Sequence, residues 1–485
     1  MKYEMNYDVA VVGGGPAGVG AALASARNGA KTILIEKNGV LGGQMTSGLV
    51  TGFHGMRIHK GFLDNEGNGP YLAVNYETEQ VIKGIPQEVV NKLVEQNAAY
   101  ARKGSSSMRV EYDPEVLKWT LFEMMDEAGV DLLLDTFVFD CKMNGTKIEA
   151  IKAANKSGEQ LIKASMFVDA SADGDLAAWS GAPYEMGREE DGRCMPLSLY
   201  MLLGDVNLEE TMDYLKENPE ELHNGKIDKW EKLYNEGSPI DLGGFRSLIM
   251  KAFSNDDYPV PVGTSNEYPY PIFFIHTSAL PKGYAKLLID MAYGINITDA
   301  KELTQAEIAV RMKQVPGILK FLKKYLPGFE ECVLLSTASL IGTRESRRIV
   351  GDYKITEEDV LKNRRFNDVV ARCGRAMNVH SMGGGKKGEA RGGQKWIEPE
   401  DPKGFDIPFR ALIPQKVDNL LASGRCISTS QMALGSVRGE PVCMATGEAA
   451  GTAAALCSKN KVDPRSIDIK VLQDRLAKQG VELGK

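Results

Sequence analysis

The sequence predicts an α/β fold in which a parallel sheet is interrupted by an inserted α+β domain. Residues 1–36 read as an apolar strand, a glycine turn, a helix of small residues and a second apolar strand. A similar strand end, followed by glycine and arginine, returns at residues 418–425. Between these segments, residues 201–330 change to helices, aromatic residues and prolines. Alternating strands and helices favour a Rossmann-like sheet, and the change of pattern favours an insertion.

The first strand, turn and helix follow the G-x-G-x-x-G pattern of a dinucleotide-binding unit. Its glycines permit a tight turn, a close approach to a pyrophosphate and close packing of the helix on the strand. The helix amino terminus presents N–H groups to phosphate charge, and the acid after the second strand can bind a ribose. A glycine turn without a ligand is the alternative, and residues 383–388 show the same pattern in what we interpret as a loop. The residues predicted to contact the dinucleotide here are Gly13, Gly15, Pro16, Ala17, Gly18 and Glu36.

The amino-acid composition and net charge exclude several classes of function. The chain has 485 residues, 43% hydrophobic and 25% charged, with a net charge of −7 and no basic block, so neither nucleic acid nor an anionic membrane is expected as a partner. No stretch reaches the roughly 18 apolar residues of a membrane helix, and no cleavable signal is expected. The seven scattered cysteines never form C-x-x-C, and the five histidines show no metal-ligand spacing. We expect no metal site and a reducing, cytoplasmic location.

A glycine-rich loop follows Glu36 and carries the first resemblance to a known family. Residues 37–48 resemble the start of flavoprotein oxidoreductases with the glutathione-reductase-type FAD-binding fold. The Gly42-Gly43 loop is similar to one in the fumarate reductase and succinate dehydrogenase flavoprotein branch. The resemblance implies a Rossmann-like FAD-binding domain with a three-layer ββα/α sheet, and FAD as the cofactor. It places Lys37, Gly42, Gly43 and Gln44 beside FAD.

The same resemblance implies further FAD contacts later in the chain. One is a strand backbone at the adenine, and another is the turn at residues 169–175, where Ser-Ala replaces the Thr-Gly of the family. The strand end at residues 420–425 is expected at the ribityl chain and pyrophosphate. A helix of small residues from 441 is expected to pack against the flavin. The implied residues are Val138, Ala170, Asp173, Gly424, Arg425, Arg438 and Gly447.

Candidate catalytic residues rest on a second resemblance. Residues 339–352 resemble the Gly-x-Arg-Glu-(Ser/Thr)-Arg-Arg segment of a bacterial family of FAD-dependent oxidoreductases of uncertain substrate. Arg344 would bind a substrate anion or the flavin edge; the alternative is a buried Arg344–Glu345–Arg347 network. His380 stands in that family's Asp-x-His segment, and an ordinary histidine pKa suits proton transfer. His54 would face flavin and substrate. For both histidines, an uninvolved loop residue is the alternative.

The predicted organisation has four parts. Residues 1–200 form the first part of the FAD-binding domain, with an insertion at about 49–110. Residues 201–330 form the substrate or cap domain. Residues 331–460 form the second part of the FAD-binding domain, with a glycine-rich loop at 383–395, and residues 461–485 form a C-terminal helix.

The predicted function is two-electron dehydrogenation or reduction of a small organic substrate by hydride transfer at flavin N5. Arg344, Arg410 and Arg438 leave room for a substrate carboxylate. Because no second nucleotide fingerprint is visible, an electron-transfer partner or a second substrate is expected. A flavoprotein with an RNA-modifying or structural role, and an NAD-dependent dehydrogenase, are the alternatives; net acidity disfavours the first and the Gly42-Gly43 loop the second. A homo-oligomer stays open, as does covalent attachment of FAD.

Overall fold

The computed structural model describes residues 3–59, 78–100, 109–222, 226–260, 273–276, 281–380, 394–397, 399 and 403–484. The strands are β1 (Tyr3–Val12), β2 (Thr32–Ile35), β3 (Gly52–His54), β4 (Arg57–His59), β5 (Thr78–Gln80), β6 (Ala99–Tyr100), β7 (Arg109–Tyr112), β8 (Asp131–Leu133), β9 (Phe137–Asn144), β10 (Lys147–Asn155), β11 (Gly158–Asp169), β12 (Tyr184–Met186), β13 (Leu197–Gly204), β14 (Asp241–Gly243), β15 (Phe273–His276), β16 (Ala285–Ala292), β17 (Val333–Thr337), β18 (Arg347–Ile349), β19 (Val369–Cys373), β20 (Met377–His380), β21 (Gln394–Ile397), β22 (Phe405–Pro408) and β23 (Leu420–Ala422). The α-helices are α1 (Pro16–Arg27), α2 (Ile85–Glu95), α3 (Pro114–Ala128), α4 (Asp175–Trp179), α5 (Leu208–Glu217), α6 (Ile227–Asn235), α7 (Arg246–Ser254), α8 (Ala300–Ala309), α9 (Val315–Tyr325), α10 (Glu357–Leu361), α11 (Gln431–Val437), α12 (Glu440–Asn460) and α13 (Ile469–Lys478).

A seven-stranded sheet organises the first part of the molecule. Its parallel strands run in the order β8-β2-β1-β11, and β23 pairs in parallel with the last three residues of β11. The first half of β11 pairs instead with β10, and β9 and β10 complete an antiparallel meander. The carboxyl ends of β1, β2, β11 and β23 therefore meet at one edge, which we call the cofactor edge. The predicted α/β fold is confirmed.

Helices α1 and α12 pack against each other because both carry small residues at their contact. A Cβ at Gly20 would overlap Met444 O, and Cβ atoms at Gly447 and Gly451 would overlap the carbonyl oxygens of Ala17 and Ala21. The small size of Gly447 allows α12 to approach α1, and its contact with the flavin stays a prediction.

A second, antiparallel sheet has the order β14-β15-β16-β13-β17. Buried apolar residues of this sheet and of α5 to α9 form a hydrophobic core of their own, which extends from Leu197 to Ile341. The pattern is that of an α+β unit placed within the chain of the first sheet. The domain boundaries drawn from the sequence stay predictions.

Two interruptions of regular structure have local causes. Strands β8 and β9 are separate because the chain turns at Asp135 (φ 48°) and Thr136 N donates to Glu36 O. A π-helical turn, residues 310–314, lies between α8 and α9. Pro316 follows this turn and has no N–H to donate to an α-helical bond.

Both ends of α3 have local stop signals, with Asp113 accepting hydrogen bonds from first-turn N–H groups and Gly129 in the left-handed conformation. The glycine-rich loop predicted at 383–395 lies almost entirely outside the described residues. Among the described helices, none combines the length and apolar character needed to cross a bilayer.

Candidate active site

The glycine turn after β1 needs glycine at two positions for packing and leaves open space at a third. Gly13 has φ +101°, and a Cβ there would lie 2.5 Å from Ala170 O. A Cβ at Gly18 would overlap Gly13 O. At Gly15, by contrast, no described atom lies within 4 Å of an added Cβ. The backbone at Gly15 therefore faces space that a ligand can enter.

The amino terminus of α1 points its unpaired N–H groups at this space. Gly15 is the N-cap, no side chain in the described segments caps the helix, and Pro16 begins it. The Gly42-Gly43 loop covers the turn: Gly42 N donates to Gly14 O at 2.8 Å, and a Cβ at Gly43 would lie 3.2 Å from Gly15 Cα. Glycine at these positions lets two backbones approach each other beside a helix terminus that attracts anions.

Glu36 follows β2 and is buried against the same turn. Its Oε2 accepts a hydrogen bond from Gly14 N at 2.6 Å, and its Oε1 accepts one from Asn38 N at 2.8 Å. Glu36 therefore holds the turn in the described protein, and its contact with a ribose stays a prediction. The exposed Lys37 follows directly. Gln44 lies farther along and donates from Nε2 to Ile341 O at 3.1 Å.

Asp173 and Arg425, predicted from separate segments, meet as an ion pair at the cofactor edge. Asp173 Oδ1 accepts from Arg425 Nη2 at 2.5 Å and from Ser346 Oγ at 2.7 Å. Gly424 lies against α1, since a Cβ there would be 2.8 Å from Ala17 Cβ. Burial, with help from Asp173 and Asp169, raises the pKa of the neighbouring Asp175 to about 6.

The remaining predicted FAD residues lie in or beside the same sheet. Ala170 N donates to Val12 O at 2.9 Å, which joins the ends of β1 and β11. Val138 is buried in β9 and pairs with Ala153, and β9 is an outer strand among the described strands of this sheet. The contact of Val138 with adenine stays a prediction.

The groups at the cofactor edge fit FAD. Open space at Gly15, an uncapped helix terminus, a covering glycine loop and a charged pair at the strand ends are what a dinucleotide with a pyrophosphate requires.

His380, at the end of β20, belongs to a buried chain of charges that reaches the second sheet. His380 Nδ1 lies 2.8 Å from Asp290 Oδ2, and Arg344 Nη2 lies 2.6 Å from Asp290 Oδ1. Arg344 Nη1 also donates to Pro196 O at 2.6 Å. The exposed fractions are 4% for His380, 2% for Asp290 and 7% for Arg344. We call this chain the buried triad.

The triad corrects one alternative for Arg344. Its partner is Asp290 of β16, whereas Glu345 pairs with Arg348 at 2.5 Å and Arg347 pairs with Asp175 at 2.7 Å. The Arg344–Glu345–Arg347 network is therefore wrong. Successive side chains of this extended segment point to different neighbours, so adjacent residues in sequence do not share a partner.

The charge state of the triad follows from its surroundings. Burial, together with Arg344, lowers the pKa of His380 to about 3 against the opposing effect of Asp290. Burial alone would raise the pKa of Asp290, but Arg344 and His380 outweigh it and hold that pKa below its usual value. Asp290 is thus ionised and His380 neutral. An ionised carboxylate only accepts hydrogen bonds, so Nδ1 carries the proton and Nε2 carries the lone pair of the neutral ring.

Arg438 adds positive charge beside the triad. Its Nη2 donates to Asn378 O at 3.0 Å, and its Nε is buried without a hydrogen-bond acceptor in the described part of the chain. Burial, Arg375 and Arg344 together hold the pKa of Arg438 well below its ordinary value. Such crowding of guanidinium groups favours a bound anion.

His54 lies near the start of α12. A Cβ at Gly439 would be 3.3 Å from Arg375 Cδ and 3.7 Å from His54 O. The half-buried His54 side chain has no further role assigned by this geometry, and its catalytic role stays a prediction. Arg410 does not join the other arginines, because it pairs with Asp368 at 2.9 Å on the surface.

Sequence reasoning missed Asp290. One signal was present, since Asp290 is the single acid in the otherwise largely apolar strand β16. Nothing in the sequence gave its partners, because Asp290 and His380 are 90 residues apart.

Comparison with known proteins identifies the class. The model of the family described as FAD dependent oxidoreductase matches residues 8–476, so the chain belongs to that family, and its cofactor is FAD. A curated relative, described as an uncharacterized protein in the nifH2 5′ region of Methanosarcina barkeri, is 30% identical over 177 residues, which are 36% of this chain and 88% of that protein.

Two solved structures are similar over nearly the whole chain. A geranylgeranyl bacteriochlorophyll reductase-like protein from Thermoplasma acidophilum is 14% identical, with 98% of this chain and 83% of that chain covered and a TM-score of 0.41. The p-nitrophenol 4-monooxygenase from Pseudomonas putida is 10% identical, with 100% and 90% covered and a TM-score of 0.43.

Proposed function

We propose that this FAD-dependent oxidoreductase moves two electrons between FAD and a small organic molecule that carries a carboxylate. The observation that supports this most is the buried triad, which holds a neutral histidine next to concentrated guanidinium charge. FAD, when bound, supplies the hydride exchange at its N5 atom. The chain's own residues then have to bind, orient and exchange a proton with the substrate.

The cofactor edge would hold FAD through groups already in position. The α1 amino terminus and the Gly15 backbone would bind the pyrophosphate, and Glu36 a ribose. Asp173 and Arg425 would bind the ribityl–pyrophosphate region. The Gly42-Gly43 loop is our ground for proposing a relation to the fumarate reductase and succinate dehydrogenase flavoprotein branch.

His380 is the proposed proton-transfer residue. Asp290 orients its ring and would stabilise the imidazolium that forms when Nε2 takes a proton, and Arg344 holds Asp290 in place. In the protein without substrate, the pKa of His380 is about 3, so His380 alone is a weak base. A substrate anion beside Arg344 and Arg438 would offset the positive charge and raise that pKa.

The second electron partner is proposed from the sequence pattern alone. Because only one nucleotide fingerprint with βαβ context is present, electrons would pass to a carrier or a second substrate. We propose a cytoplasmic location on the same ground as before, the scattered cysteines.

Anaerobic flavin reduction tests the proposal. FAD-loaded protein is mixed with small carboxylic acids and with their amides, and the loss of the flavin's visible absorption is followed. We expect reduction by acids but not by the matched amides. His380→Gln should slow reduction by about 10²–10⁴-fold.

Two controls make the result interpretable. The FAD content of His380→Gln should equal that of wild type, and dithionite should reduce both flavins equally. Equal rates for acid and amide would contradict the carboxylate requirement, and a His380→Gln rate equal to wild type would contradict the role of the histidine.

A further inference from the structure

A cavity of about 720 Å³ lies at the far end of α1 from the cofactor edge. It is lined by the carboxyl end of α1, the start of α2, one residue of α12 and the carboxyl end of α13. The 12 residues of α1 separate it from Gly15 by about 18 Å. The cavity is therefore distinct from the FAD site, and its volume suits a small molecule.

Basic side chains from three segments converge on this cavity. Arg27 lines it from α1, Lys83 from the segment before α2, and Arg475 and Lys478 from α13. Arg27 pairs with Glu88 at 2.6 Å, and Lys83 pairs with Glu482 at 2.8 Å. Within the described residues, no acid forms an ion pair with Arg475 or Lys478.

The one buried acid of the cavity is Glu448. Its exposed fraction is 1%, and its Oε2 accepts a hydrogen bond from Ile85 N at 2.8 Å. Gly84 adopts φ +69°, and its lack of a Cβ makes room for the carboxyl group. Burial raises the pKa of Glu448 to about 8, so it is mostly uncharged at neutral pH.

We propose that this cavity is a second ligand site, which binds a small molecule through an anionic phosphate or carboxylate group. Four basic side chains line it against two acidic ones, Glu88 and the buried Glu448. The excess positive charge and the amino terminus of α2 both favour an anion.

Calorimetric titration of the FAD-loaded protein tests the proposal and separates the two sources of charge. Inorganic phosphate is titrated in one arm and citrate in the other, at neutral pH. We expect measurable binding of at least one, and the probe that binds more tightly identifies the group. Arg475→Ala with Lys478→Ala should weaken binding about tenfold or more.

The matched control replaces Lys156 and Lys459, two exposed lysines that do not line the cavity. This control should bind the probe as wild type does. Absence of binding by wild type, or equal weakening in both double variants, would overturn the proposal.

A second readout uses sulfate, whose charge stays constant near neutral pH. Sulfate affinity of the wild type should fall as pH rises through about 8, because Glu448 then becomes charged among Arg27, Lys83, Glu88, Arg475 and Lys478. Glu448→Gln should bind sulfate as tightly as wild type at neutral pH. Its sulfate affinity should not decrease as pH rises through about 8. A fall that persists in Glu448→Gln would contradict the place of this carboxyl group in the site.

Discussion

The cofactor edge and the buried triad differ in the groups that form them, which are backbone and glycines at the edge and buried polar side chains in the triad. The edge consists of backbone atoms and of the glycines Gly13, Gly15 and Gly18. Because these residues lack a side chain, they leave space or permit close contact. The triad consists of the ionised Asp290 and Arg344 and the neutral His380, and all three side chains are nearly removed from water.

The difference teaches how each region fails. Added atoms damage the edge, because its glycines either touch backbone or border the ligand space. Removed charge damages the triad, because a buried ion left without its partner costs far more than the pair gains. The following substitutions test this contrast.

Asp290→Asn should have the largest effect on stability. It leaves the Arg344 guanidinium buried without its carboxylate, which costs about 3–5 kcal/mol. Urea unfolding, followed by circular dichroism, measures the loss.

Asp191→Asn is the matched control, because Asp191 pairs with Arg188 at 2.6 Å on the surface. There the expected loss is about 0–1 kcal/mol. Similar losses at the two positions would show that burial does not govern the Asp290–Arg344 pair.

Gly18→Ala and Gly15→Ala separate the two uses of glycine at the edge. At Gly18 the new methyl group overlaps Gly13 O, so unfolding should become easier by about 1–3 kcal/mol. At Gly15 the methyl group meets no described atom, so stability without FAD should be unchanged.

The affinity for FAD should decrease when Gly15 is replaced. We expect Gly15→Ala to weaken FAD binding about tenfold, because the methyl group enters the pyrophosphate space. Titration of the FAD-free protein with FAD, followed by flavin fluorescence, checks this. An unchanged affinity in Gly15→Ala would place the cofactor elsewhere.

Glu448→Gln sharpens the comparison with a buried acid that forms no ion pair with any residue the structure describes. Its pKa is about 8 in the folded protein against an ordinary 4.5, so between these values the folded state binds more protons than the unfolded state. The free energy of unfolding should therefore fall as pH rises in this window, by up to about 1.4 kcal/mol per pH unit.

The variant should lack this slope, because a carboxamide does not titrate. Urea unfolding of both proteins between pH 6 and 8 measures the difference. Parallel pH profiles for wild type and variant would mean that Glu448 is already ionised in the folded protein.

The cofactor edge was largely predictable from sequence because its residues act locally. Gly13 to Gly18, Glu36 and the Gly42-Gly43 loop lie within one βαβ unit and its following loop. The spacing of these residues predicts both the fold and the family. The pairing of Asp173 with Arg425 was not predicted, although both residues were.

The triad could not be predicted because its members come from three distant segments. Asp290 lies in a strand of the second sheet, and its contact with His380 depends on how that sheet meets the separate pair of strands β20 and β21. The contact of Gly447 with α1 was hard to predict for a related reason, because a small residue in a helix predicts close packing but does not identify the partner.

The central claim is that the triad presents a neutral His380 for proton transfer, and the pH dependence of anaerobic flavin reduction by a carboxylate substrate tests it most directly. At substrate concentrations far below saturation, the second-order rate constant for reduction reports the groups of the substrate-free protein. Because burial and Arg344 lower the pKa of His380 to about 3 in that state, this constant should stay level in the wild type between about pH 5 and pH 8. A break near the ordinary histidine pKa of about 6.5, absent in His380→Gln, would contradict the account.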